Sequence, residues 1–388
     1  MLRKTLGLRL TAMSLCLCAA FGCANVFAAE TDNTQEELEE MQQSLNDIYS
    51  TYINVEYNDE LETLTVDEAV EKAINNSSSL KNISAQIDLA EDQLDVQYSE
   101  AMADSGDSFS SLISFIESQA SLSNNKISEV VQEETIKHSM EESYINIVKA
   151  EREIALLKLS IEKSDYELGI AKVQLANGRL SQSEYNELEQ SYNSAKTELE
   201  NREDSLEAEY AALNILMGVA DTSKRYNLYV EAVYEPFNID MPVESYINGK
   251  VAASASVRQA EKDYETTQQT YSMSIISNTE IGGYKSAQNS LNSAEMSYED
   301  TKDSVYNSLY SKYNSLVENE KSYESQLNEL SLLNDTLLRV QTQYASGRAT
   351  YTELLQACYD VAEKENNILS GVYDHMLLCE ELTNVELM

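Results

Sequence analysis

The sequence predicts an all-α protein: two tandem repeats of long coiled-coil α-hairpins, with little or no β structure. Three observations carry that reading. The stretch "ANGRLSQSEY" from Ala176 returns as "ASGRATYTEL" from Ala345, so that Gly178-Arg179 and Gly347-Arg348 lie 169 residues apart. A seven-residue apolar stripe runs through the helical pattern ahead of each pair. Only two prolines, Pro236 and Pro242, and 11 glycines interrupt 388 residues, a composition that favours long unbroken helices.

The chain opens with "MLRKTLGLRLTAMSLCLCAAFGCANVFAAE", in which basic residues precede an apolar run and the small-residue site Val26-Phe27-Ala28. This reads as a signal peptide over residues 1–28 and predicts an exported protein of the cell envelope, outside the cytoplasmic membrane. A lipoprotein reading needs Cys23 as the lipidated residue, and Ala20 and Phe21 fit the positions ahead of it poorly. Without Arg3, Lys4 and Arg9, 24 Lys plus Arg face 67 Asp plus Glu, a net charge near −43. Such a surface repels nucleic acid and anionic lipid, and solvated acidic helix faces account for the carboxylates. Cysteines outside the signal are Cys358 and Cys379 alone, which excludes a disulfide framework.

Residues 29–63 form an acidic N-terminal segment, and the first repeat spans 64–217. In it Met140, Ile147, Ile154, Ile161, Leu168 and Leu175 recur every seven residues; 169 further on stand Leu309, Leu316, Tyr323, Leu330, Leu337 and Tyr344. A strict seven-residue repeat predicts left-handed coiled-coil packing. Beyond each Gly the stripe resumes at Tyr185, Tyr192 and Leu199, matched by Leu354, Val361 and Ile368, which makes each Gly-Arg pair the turn of an αα-hairpin. Upstream, Leu80, Ile87 and Leu94 match Val257, Tyr264 and Tyr271 at an offset of 177, so the first copy carries extra residues near its distal turn. Gly106 and Gly282-Gly283 mark those distal turns, and the long helices are expected over 128–176 and 287–345, on the order of 70 to 90 Å each. Residues 218–242 form an inter-repeat linker with one short strand between Tyr226 and Tyr234, and the second repeat spans 243–388.

The order of these features resembles the TolC-like outer-membrane efflux protein family. The match rests on "LTVDEAVEKAINNSSSLKNISAQI", "YINIVKAEREI", the Gly turns each followed by an acid, and "LNILMG" ending at Gly218, and it covers roughly residues 64 to 385. The resemblance implies a TolC-like α-barrel protomer, assembly as a homotrimer, and work with a periplasmic adaptor (membrane fusion) protein and an inner-membrane exporter of ABC type. It also implies passive conduction in efflux or secretion, with no cofactor. Carried onto this sequence, Gly178 and Gly347 are the hairpin tips and Arg179 and Arg348 adjoin them. Tyr344 takes the aromatic position before the second turn, where the first copy has Leu175. Glu184 and Glu353 take the acidic position expected to face the lumen or tip. The family inserts a strand pair into each distal turn, and neither distal stretch here supplies the roughly 9 to 11 alternating residues that a membrane strand requires.

A purely structural account of the repeated turn is also available, in which Gly is a helix C-cap and Arg complements the helix dipole. Two function classes therefore stand: a conduit docking through its tips, and a coiled-coil structural or tethering protein of the envelope. No catalytic or phosphate-binding motif is present, and the two histidines are too isolated for a metal or triad site. His375 falls on the apolar stripe and is read as a packed core residue, with Cys358 and Cys379 as buried thiols.

Overall fold

The computed structural model describes residues 60–103, 109–276 and 281–388; the residues read as a signal peptide, Cys23, most of the acidic N-terminal segment and Gly106 lie outside them. Strand β1 (Thr63–Leu64) leads into helices α1 (Val66–Asn76), α2 (Ser78–Ala103), α3 (Ser110–Ala176) and α4 (Gln182–Leu216). Strand β2 (Asn227–Leu228) follows. A second series then repeats the first: α5 (Val243–Ala253), α6 (Ala255–Ile276), α7 (Ile281–Ala345) and α8 (Tyr351–Thr383), closed by a 3-10 turn at Val385–Leu387. The paired helices have nearly the same lengths, with 67 residues in α3 against 65 in α7 and 35 in α4 against 33 in α8.

The duplication extends to local devices. Ser77 separates α1 from α2 and its hydroxyl accepts from Leu80 N at 3.2 Å; Ser254 separates α5 from α6 and accepts from Val257 N at 3.3 Å. The two serines are 177 residues apart, the offset of the surrounding apolar positions. Each restarts a helix because its side chain satisfies a donor that the new first turn leaves open.

Both long helices begin earlier than the sequence pattern predicts, at Ser110 instead of about 128 and at Ile281 instead of about 287. The Ser-rich run of α3 keeps enough apolar side chains to pack on α2, with Tyr98 and Phe115 5.8 Å apart between ring centroids. Gly282 and Gly283 fall in the first turn of α7, where their weak helix propensity breaks nothing. Only residues 104–109 separate α2 from α3, and only 277–280 separate α6 from α7. Neither connection has room for a pair of membrane strands.

Among the described residues the β structure is one two-residue parallel pairing, Thr63 with Asn227 and Leu64 with Leu228. It marks a belt where the inter-repeat linker is pinned onto both repeats. Buried Tyr144 donates from its hydroxyl to Leu64 O at 2.7 Å and accepts from Tyr229 N at 2.8 Å. Fully buried Asn214 accepts from the Tyr226 hydroxyl at 2.9 Å and donates to Lys224 O at 2.8 Å. Tyr234 stacks on Tyr323 of α7 at 3.8 Å, and Glu320 of α7 accepts from Phe237 N at 2.7 Å. The linker thus joins the two repeats through buried hydrogen bonds and ring contacts, and its strand is shorter than the alternating pattern of Tyr226 to Tyr234 predicts.

Much of the seven-residue stripe forms the core, but toward the first turn Ile161, Leu168 and Leu175, with Tyr185, Tyr192 and Leu199 beyond it, are only half-buried. Met140, Ile147 and Ile154 pack with the belt residues, whereas Leu330 and Leu337 pack with Leu354, Val361 and Ile368 in the half toward the turns. His375 is buried as expected, with Nε2 3.2 Å from the Glu320 carboxylate. Cys358 is buried as expected, and burial pushes its thiol up to about 12; Cys379 is only half-buried, and burial together with Glu320 pushes it up to about 11.

Candidate functional site at the hairpin tips

The two Gly-Arg turns share the same capping bonds. At the end of α3, Gly178 takes φ 67°, its N–H donates to Leu175 O at 3.0 Å, and Arg179 N donates to Gln174 O at 2.9 Å. At the end of α7, Gly347 takes φ 68°, its N–H donates to Tyr344 O at 2.9 Å, and Arg348 N donates to Gln343 O at 2.7 Å. This crossed pair of bonds is the Schellman motif, which requires a left-handed residue at the Gly position. The next helix starts at once. Ser181 accepts from Glu184 N at 3.2 Å while the Glu184 carboxylate accepts from Ser181 N at 2.8 Å. Thr350 and Glu353 repeat the arrangement at 3.2 and 2.7 Å.

Each acid after a turn is therefore one half of a capping box. The backbone N–H of Ser181 or Thr350 holds the carboxyl below the usual carboxylate range, so both acids stay ionised at neutral pH. The pattern was readable as Ser-x-x-Glu and Thr-x-x-Glu just past the Gly, a signal that sequence reasoning passed over in favour of the acid alone.

The predicted site residues separate into two groups. Gly178, Arg179, Glu184, Gly347, Arg348 and Glu353 are exposed at the turns, and neither guanidinium has an acidic partner among the described residues. Tyr344 is half-buried instead, its ring 6.1 Å from Tyr351, which in turn meets Tyr166 of α3 edge-on at 4.9 Å. The three tyrosines close the seam between the hairpins just inside the second turn. Lys163 adds a hydrogen bond to Gln356 and lies 5.7 Å over the Tyr359 ring.

That seam also fixes the level of the two turns. Asn366 accepts from Arg152, Gln356 from Lys163, and Tyr351 meets Tyr166, so α8 runs antiparallel to α3 in a single register. Gly347 stands four residues before Tyr351, but Gly178 stands twelve beyond Tyr166. The first hairpin projects past the second by about two helical turns, on the order of 12 Å. Its overhang carries exposed Ile170 and Val173.

No protein-family model matches the chain, and no curated protein matches it in sequence. Solved structures do match it. A membrane protein from Pseudomonas aeruginosa superposes with a TM-score of 0.63 at 12% identity, over 84% of this chain and 91% of that one. The outer membrane protein VceC from Vibrio cholerae gives 0.59 at 13% identity, over 82% and 95%. The Campylobacter jejuni CmeC outer membrane channel gives 0.57 at 12%, over 83% and 85%. The chain has the TolC-like fold. Its helical frame is that of outer-membrane channel protomers, whereas its distal connections are too short for a membrane strand pair. The TolC-like frame places both turns at one end of the molecule, opposite those connections.

Proposed function

We propose that the chain is an exported channel component of an efflux or secretion system, a homotrimer in the cell envelope. It conducts passively and docks through its hairpin tips to an adaptor protein linked to an inner-membrane exporter of ABC type. The observation that carries this reading is the pair of turns. Two exposed arginines without acidic partners among the described residues sit at one end of a helical frame roughly 100 Å long, on turns each held by Schellman and capping-box hydrogen bonds. A rigid, charged end of this kind suits a protein partner, and threefold assembly turns each arginine into a ring. The repeats 64–217 and 243–388 each supply one tip, and the stagger sets Arg179 and Arg348 at two different depths.

In-cell photo-crosslinking from position 348, with position 321 in the middle of α7 as control, tests the proposal. Capture of an adaptor hairpin from 348 alone is the expected result. Capture of cell-wall material or nothing from 348 removes the transport assignment and leaves a structural or tethering coiled coil.

A further inference from the structure

Where the end of α8 meets α3, charged side chains of three helices converge across the seam between the repeats. His138 of α3 lies between two carboxylates of α8, with Nδ1 3.0 Å from Glu380 Oε2 and Nε2 3.4 Å from Glu381 Oε1. Carboxylates only accept, so the ring donates to both only when each of its nitrogens carries a proton. Glu141 stands about one turn beyond His138 on α3, and its carboxyl hydrogen-bonds that of Glu380, a contact that needs a proton between the two acids. Lys312 of α7 reaches Glu381 at 3.4 Å. All five side chains are half-buried. Of the neighbouring charges, Glu134 binds Lys137 and Asn384, Glu386 binds Arg258 of α6, and His375, earlier on α8, faces Glu320. Asp67 of α1, which also acts on Glu141, is exposed.

Charge balance distinguishes two states of this cluster. With one proton on His138 and one between Glu141 and Glu380, the two remaining carboxylate charges are offset by His138 and Lys312. Without those protons, three carboxylates face Lys312 alone, and charge of one sign is left uncompensated in a half-buried seam, which is costly. We propose that these five side chains form a proton-operated clasp between the two repeats, closed while the cluster holds both protons and weakened when it releases them. Burial together with Glu380 pushes Glu141 up to about 7, so its share of the clasp is complete below the ordinary glutamate value near 4.5 and lost as pH rises through about 7. The same chain end is also held by the Tyr246 hydroxyl on Leu382 O and by Ser256 N on Met388 O, so proton loss loosens it without releasing it. On an exported chain, the reading proposed above, the protons come from the surroundings and not from the buffered cytoplasm. The clasp operates in a conduit and in a tether alike.

Amide hydrogen exchange on the processed protein, corrected for the intrinsic pH dependence of the exchange chemistry, reads the clasp at residues 378–388, with residues 185–200 of α4 as control. From about pH 5.5 to about pH 8.5, protection at 378–388 is expected to fall about tenfold or more beyond any change in the control. Glu141→Gln supplies an amide donor to Glu380 that does not titrate, and is expected to hold protection nearly constant over that range. His138→Gln is expected to lower protection at the acid end, where the unaltered clasp is closed. The two segments of the unaltered protein decide the matter even where a variant fails to fold. A flat profile at 378–388, a parallel fall in the control, or a Glu141→Gln profile as steep as that of the unaltered protein overturns the proposal.

Discussion

The tips and the belt both depend on a left-handed glycine, and they differ in what surrounds it. Gly178 and Gly347 take φ 67° and 68° in open space, whereas Gly218, at 72° in the belt, would place a Cβ 2.5 Å from Cγ of Asn76. All three close α-helices with the same crossed bonds, Val219 N to Asn214 O completing the set in the belt. At the tips the neighbours are solvent and the cap residues three positions on; in the belt the neighbour is Asn76, more than a hundred residues away, whose amide donates to Ile215 O at 3.4 Å and Leu216 O at 3.2 Å. One backbone device is thus used as an autonomous turn in one place and as an anchor for long-range packing in the other. A turn held by its own residues leaves its outer surface free for a partner, which the belt glycine cannot do.

The largest effect expected from breaking this contrast is at Gly218. Gly218→Ala combines left-handed strain with displacement of the Asn76 side chain from its bonds to Ile215 O and Leu216 O and should cost about 2 kcal/mol, against about 1 kcal/mol for Gly178→Ala or Gly347→Ala. Denaturant unfolding at one fixed protein concentration reads all three, and equal losses would remove the distinction between the regions. Tyr144→Phe comes next. It strands the buried Leu64 carbonyl and Tyr229 N–H, and should cost about 2 kcal/mol in the same assay. Tyr344→Phe, half-buried with no comparable bond, should change stability far less.

Acidity sharpens the comparison further. Burial together with Glu380 pushes Glu141 up to about 7, and burial pushes Glu365 up to about 7, so the folded protein holds protons that the unfolded chain has released. Their stabilising effect is complete below the ordinary glutamate value near 4.5 and is lost as pH rises through about 7. Glu184 and Glu353 shift the other way, and what they contribute is present above 4.5 and lost as pH falls. Unfolding measured from pH 4.5 to 8 should show stability falling with pH, and Glu141→Gln with Glu365→Gln should flatten that fall. Glu184→Gln should leave the slope unchanged.

The smallest effects concern the caps and the arginines. Ser181→Ala and Thr350→Ala should each cost about 1 kcal/mol, equally in the two repeats. Unequal costs would show that one tip is supported by more than its local bonds. Arg348→Ala should alter stability by less than about 0.5 kcal/mol while lowering capture by a photo-crosslinker placed at the neighbouring exposed position 346.

Much of the fold was legible because its signals are short-ranged. The seven-residue stripe, the Gly ends and the duplicated order of elements depend on contacts within a few positions, and each copy confirms the other. The site was legible in part for the same reason: the exposed arginines stand at turns that local sequence places. The long helices were underestimated because a Ser-rich start and a Gly pair read as breaks, while packing of Phe115 on Tyr98 and the tolerance of a first helical turn decided otherwise. Tyr344 was placed among the tip residues by the family resemblance alone, which says nothing of its partner; that partner, Tyr351, lies across the turn beside Tyr166 of the other repeat.

The sequence by itself determined that this protein is a duplicated pair of long hairpins with two capped turns, since helix periodicity and capping are properties of neighbouring residues. Only the tertiary structure decided how the linker is pinned between β1 and the helices, how far one tip projects past the other, and which charged side chains of the two repeats meet across the seam. Those depend on registers between segments far apart in the chain, where a shift of one helical turn leaves the local pattern unaltered and changes every contact.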